Sequence, residues 1–153
     1  MGPVTSVRAP YLFDETLVAE VAAVGVARKG VWRALRGAGY CEELVESAGT
    51  VVTELASNAV RVACGEAVRV RLRPVRDEGG GVWVEVWDDQ DAAPVPRPVV
   101  HSLDDIDLLP CDEVIGGWGL GIVASLSSRQ EIRPTEPCGK WVAALIPCCR
   151  RAG

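Results

Sequence analysis

Apolar residues recur at three- and four-residue steps through Leu44, Ala48, Val51, Leu55, Ala59 and Val62. That spacing lays one buried stripe down a helix, predicted here from Cys41 to about Ala63. Upstream, residues 14 to about 37 are rich in alanine, valine and leucine and lack proline. They predict a helix ending near Gly37 and Gly39. After residue 66 the period drops to two. Val68, Val70 and Leu72 alternate with Arg69, Arg71 and Arg73, and a second apolar run over 82–87 ends at Asp88 and Asp89. Two strands joined by the glycine-rich residues 76–81 read as an antiparallel hairpin. Helical character resumes near Gly119, through Ile122, Val123, Leu126 and Ser127. Two further strands, 129–133 and 140–146, flank a turn holding Pro134, Pro137 and Gly139.

Between these elements, residues 89–116 are proline-rich, then acidic, with little periodicity. A connection that long inside a compact domain is a candidate lid or binding loop. Its only histidine, His101, reads as solvent-exposed. Asp104, Asp105, Asp107, Asp112 and Glu113 read as a solvated run, with docking of a basic partner as the alternative. No repeat or boundary divides the chain, so residues 1–153 are expected to form one domain. Its expected class is α+β: a two-layer sandwich with a mainly antiparallel sheet and helices on one face.

Composition narrows the function. A net charge of −5 supplies no electrostatic footprint for nucleic acid, and along the chain basic residues do not cluster with aromatics. No apolar run reaches the roughly 20 residues that cross a bilayer. Nor does the start of the chain read as a secretory signal, so a cytoplasmic protein is expected. The six cysteines contain no C-x-x-C pair. They read as free thiols in a reducing compartment, most of them small hydrophobes rather than metal ligands.

Three groups carry candidate chemistry. Glu54 and Asn58 stand at i and i+4, so a carboxylate and an amide project from one helix face. An amide oxygen plus phosphates would satisfy magnesium, which keeps several waters, and the carboxylate would be free to take a proton. The bland alternative is a solvated pair, but Asn58 borders the apolar stripe and an unpartnered amide is costly there. Asp88 ends an apolar strand, where a carboxylate can accept from an adenine amino group; a plain turn residue is the alternative. Gly116–Gly121 fits neither a P-loop nor a dinucleotide fingerprint. It can still present a helix N-terminus with bare N–H groups to a phosphate.

Taken together, Val51-Val52-Thr53-Glu54-Leu55-Ala56-Ser57-Asn58-Ala59-Val60-Arg61 resembles the N box of the GHKL (Bergerat-fold) ATP-binding superfamily. Among its branches the chain most resembles the bacterial anti-sigma-factor serine kinases and their histidine-kinase-like relatives. Val84-Glu85-Val86-Trp87-Asp88 resembles the strand entering the first glycine box, and Gly117-Trp118-Gly119-Leu120-Gly121-Ile122-Val123 the second. Gly139-Lys140-Trp141-Val142 stands where that family has a closing G-K-T-V strand. The resemblance implies ATP and Mg2+ as cofactors, with Glu54 as general base and Asn58 as magnesium ligand. It also implies Asp88 at adenine, and Gly117, Gly119, Leu120 and Gly121 around the phosphates. The implied acceptor is a serine of an anti-anti-sigma factor-like protein, and the regulated protein a sigma factor; self-association as a dimer is left open.

The chain departs from that pattern at three places. Gln90 replaces the glycine of Asp-x-Gly, Trp141 replaces the threonine after the lysine, and Val62 replaces a frequent histidine. Gln90 and Trp141 support a second reading, a regulatory binding module of the same fold whose nucleotide binding is weakened or lost, with Trp141 filling the adenine space.

Overall fold

The computed structural model describes residues 10–76, 79–92 and 120–148. Helix α2 (Glu42–Val62) forms where the stripe predicts it and buries Leu44, Ala48, Val51, Leu55 and Ala59. Glu42 and Glu43 lie in its first turn and Arg61 in its last, each complementing the helix dipole. Val62 departs from the stripe: it is exposed, because it closes the last turn where the chain leaves the core.

Helix α1 begins later than expected. The expectation of a helix from residue 14 is corrected by strand β1 (Phe13–Val18), which precedes α1 (Val21–Gly37). The cause is tertiary pairing. Asp14 and Thr16 stand opposite Arg71 and Arg69 of strand β2 (Ala67–Pro74) in an antiparallel ladder. The Asp14 carboxylate also takes two hydrogen bonds from Arg69, at 2.8 and 2.7 Å.

Strand β3 (Val82–Asp88) pairs with β2 as the hairpin predicts. A helix over 120–126, α3, is followed by β4 (Arg129–Pro134) and β5 (Lys140–Ile146). All pairings are antiparallel, and the strand order is β1-β2-β3-β5-β4. Val68, Val70, Leu72, Val82, Val84, Val86, Ala144 and Ile146 share one core with α1, α2 and Val123 of α3. The helices therefore cover one face of the sheet, the expected α+β two-layer arrangement.

Two glycines set how closely α1 approaches its neighbours. A Cβ at Gly30 would meet the Phe13 ring, and one at Gly49 would meet Trp32 Nε1. The Trp32 indole lies between the Arg28 and Arg36 guanidinium groups, 5.3 and 5.7 Å from its centroid, which limits its room to swing away. Gly49→Ala is therefore expected to destabilise by about 1–3 kcal/mol. Gly25→Ala, in open space within α1, should instead gain up to about 1 kcal/mol of helix propensity. Thermal unfolding of the two variants should shift in opposite directions; a Gly49→Ala variant as stable as Gly25→Ala would contradict this packing.

The cysteine expectation divides. Cys64 and Cys138 are free thiols, but Cys41 is disulfide-bonded. Spacing along the chain hid this, because the neighbourhood of a disulfide is created by folding.

Candidate functional site

The site begins on α2. Glu54 and Asn58 are both half-buried beside the stripe that fixes the helix on the sheet. Thr53 and Ser57 turn their hydroxyls back onto the helix, donating to the Gly49 and Thr53 carbonyls at 2.7 and 2.6 Å. Asn58 Oδ1 accepts from Arg61 Nη2 at 2.6 Å. Among the described residues no cation pairs with Glu54. Its carboxylate is therefore available as a proton acceptor, while a guanidinium attends the amide beside it.

The end of β3 forms the second part. Asp88 is buried, and its Oδ1 accepts from the Gln90 N–H at 2.9 Å and from Lys140 Nζ at 2.8 Å. Asp89 reaches the connection after α2, accepting from the Cys64 N–H at 3.1 Å and from the Gly65 N–H. The Gln90 amide, then those backbone donors, hold the Asp89 carboxyl below the usual carboxylate range. Asp91 accepts from the Gly139 N–H at 2.9 Å. Asp88, Asp89 and Asp91 thus tie the end of β3 and the loop after it to three places. Asp89 in particular joins the Asp88 end of the sheet to the Asn58 end of α2.

Strand parity corrects the expectation for Trp141. Lys140, directly opposite Asp88 in the ladder, shares the helix-side face with Val142, Ala144 and Ile146. Trp141 consequently projects from the opposite face, where the Arg71 guanidinium lies 3.6 Å from its ring centroid. It does not fill the adenine space. The residue that meets Asp88 is Lys140, which sequence reasoning placed in the closing strand without giving it a task. Its position opposite Asp88 was the available signal.

Of the glycine-box residues, Leu120 and Gly121 lie in the first turn of α3, half-buried and exposed respectively, with open space around Gly121. Gly117 and Gly119 lie outside the described residues, as do His101, the five acids of the long loop, and all of that loop beyond residue 92.

A profile of the histidine kinase-like ATPase domain matches residues 17–145. The chain belongs to that family. In fold, this GHKL-type domain is similar to the crystal structure of the RsbU and RsbW domains of Rv1364c from Mycobacterium tuberculosis. The TM-score is 0.64 at 18% identity, over 92% of this chain and 33% of that one. It therefore spans about a third of that chain's length. A second similarity is to the NMR structure of the histidine kinase domain of the E. coli osmosensor EnvZ. There the TM-score is 0.41 at 16% identity, over 97% and 96% of the two chains. No curated protein matches in sequence.

The donor set of the ATPase domain suits the cofactors its family implies. Asn58 offers an amide oxygen, a hard ligand of the class magnesium takes, with phosphates and water to complete the shell, and the Glu54 carboxylate beside it stays free for a proton. Only the Arg61 bond to Asn58 needs to open. It is exposed, so opening it exchanges a net stabilisation of about 1 kcal/mol for hydration. Among the described residues no cluster of three or more His, Cys, Asp or Glu could hold a metal by itself. No helix among them is long and apolar enough to cross a membrane.

The far face of the sheet overturns another expectation. Basic residues do cluster with aromatics in space. Arg71 lies over Tyr11 and Trp141, Arg69 over Trp141, and Arg73 over Trp83. Alternation brings them together from strands far apart in sequence. At the centre sits Glu85, fully buried, ion-paired with Arg73 at 3.0 Å, with Arg133, and with Arg71 at 3.8 Å.

Proposed function

We propose that this domain binds magnesium-ATP and acts as a protein serine kinase of the anti-sigma-factor type. Its acceptor would be a serine of an anti-anti-sigma factor-like protein, and a sigma factor would be regulated through it. The carrying observation is the half-buried Glu54/Asn58 pair on α2, with Glu54 unpaired among the described residues. The anti-sigma-kinase resemblance of the N box and the likeness to a structure containing an RsbW domain support the same direction.

Bound ATP would supply the phosphoryl group, and its magnesium would neutralise the phosphate charge. The protein's work is then positional and electrostatic. Glu54 would take the proton of the acceptor serine hydroxyl as that oxygen bonds to the γ-phosphorus of ATP and the bond from that phosphorus to the β–γ bridging oxygen breaks, releasing ADP. Asn58 would offer its amide oxygen to the metal once Arg61 turns from it. Asp88 marks the base end. Leu120 and Gly121, with Gly117 and Gly119, are assigned to the phosphates on the family resemblance.

One observation favours a second reading, a binding module that has lost nucleotide. Asp88 Oδ1 is already occupied by Lys140 and the Gln90 N–H. Titration calorimetry with magnesium-ATP separates the two. The kinase reading expects saturable binding at millimolar or lower concentration that weakens when EDTA removes magnesium. Absence of heat and of any rise in unfolding temperature with ATP would leave the binding module.

A further inference from the structure

The Asp88–Lys140 pair is an ion pair held almost wholly out of water, its side chains 4% and 3% exposed. An ammonium has three N–H donors. Lys140 Nζ spends one on Asp88 Oδ1 and one on the Gln90 carbonyl, at 2.8 and 2.9 Å, so among the described residues one is left. On the carboxylate, Oδ1 receives both bonds made to it, and among the described residues Oδ2 receives none. The pair thus holds a spare acceptor next to a spare donor.

Such a pair does not part readily. Withdrawing one charge strands the other in a buried site, and a neutral base amino group does not offset that penalty. A base arriving at Asp88 therefore meets both groups. An acceptor beside a donor complements a donor beside an acceptor. Adenine presents that edge through N6–H and N1; guanine presents it through N1–H and O6. With an aspartate alone, O6 of a guanine set in the adenine position would face a carboxylate oxygen and be repelled. Lys140 turns that repulsion into a charge-assisted hydrogen bond, the stronger class.

We infer that Asp88 and Lys140 read the base as a couple, and that the site takes guanine nucleotides at least as well as adenine nucleotides. The inference rests on the nucleotide-site reading above and names its ligand class, a magnesium-bound purine nucleoside triphosphate. Lys140 is in this view the specificity-determining residue, and Gln90, through its carbonyl, holds the ammonium in place.

The test is calorimetric titration of the full chain, and of Lys140→Thr and Lys140→Met, with magnesium-GTP and magnesium-ATP. In the wild type, GTP is expected to bind more tightly than ATP or within about threefold of it. Both variants should move the ratio toward ATP by about tenfold or more. The ratio is taken within each variant, so a general loosening of the fold that weakens both nucleotides alike leaves it unchanged. A wild-type preference for ATP greater than about threefold overturns the inference and leaves the ATP site standing, even where a variant fails to fold. A ratio unmoved by both substitutions does the same. Failure of the wild type to bind either nucleotide overturns the inference and the nucleotide site together.

Discussion

Replacing Glu54 with glutamine is expected to slow phosphoryl transfer by about 10²–10⁴-fold, the usual contribution of a positioned general base. Glutamine keeps the length and the hydrogen-bonding carbonyl of the side chain but cannot accept a proton. Because Glu54 is half-buried and pairs with no cation among the described residues, little structure depends on its charge, and the unfolding temperature should hold. Magnesium-ATP affinity should stay within about threefold, since a group used only in the transition state lowers turnover without lowering ground-state binding. The measurement is label transfer from ATP to a serine of an anti-anti-sigma-type partner, beside calorimetry on the same preparation. A variant that transfers phosphate at the wild-type rate would remove Glu54 from the chemistry. One that loses binding as well would make it a structural or binding residue.

Glu54 and Asn58 were legible because their relation is local. An i, i+4 pair on a strongly periodic helix keeps its geometry whatever the rest of the chain does. The two hairpins were legible for a similar reason: period-two runs separated by glycine- and proline-rich turns leave little choice of partner. What escaped depended on distant pairing. The stretch Phe13–Val18 runs straight into an alanine-rich helix. It becomes a strand only because β2 offers it an edge and Arg69 offers Asp14 a partner. Propensity alone does not foresee that choice.

Trp141 shows how one position of parity redirects a functional argument. The closing strand was located correctly, but the face on which each residue stands follows from the β3–β5 register. Asp88 opposite Lys140 puts the lysine beside that aspartate on the helix side and the tryptophan among the arginines of the other face. A residue that looked like an obstruction to adenine is part of the back of the sheet. The residue that does meet Asp88 carries a positive charge.

Glu85→Ala should be the most destabilising single change in the sheet, by about 3 kcal/mol. Glu85 is fully buried, and the guanidinium groups of Arg71, Arg73 and Arg133 gather on its carboxylate. Burial already pushes the Arg71 and Arg133 guanidinium pKa values down, and neighbouring arginines push in the same direction. The Nε atoms of these two residues are buried with no hydrogen-bond partner among the described residues. Removing the carboxylate therefore leaves like charges facing one another without the counter-ion buried among them, on strands that pair through β3 and β5. The half-exposed Arg73 and Arg133 can swing toward water, which holds the cost near the lower end of the range for broken buried pairs. For a chain of this size that corresponds to a fall in unfolding temperature of about 10 °C. Added salt should recover part of it by screening the guanidinium repulsion. Glu42→Ala is the contrast. It removes an exposed bidentate partner of Arg36 and should cost no more than about 1 kcal/mol. Thermal unfolding of both variants at low and high salt decides the matter. If Glu85→Ala unfolds with Glu42→Ala, the buried carboxylate does not hold the arginine face together, and aromatic stacking does.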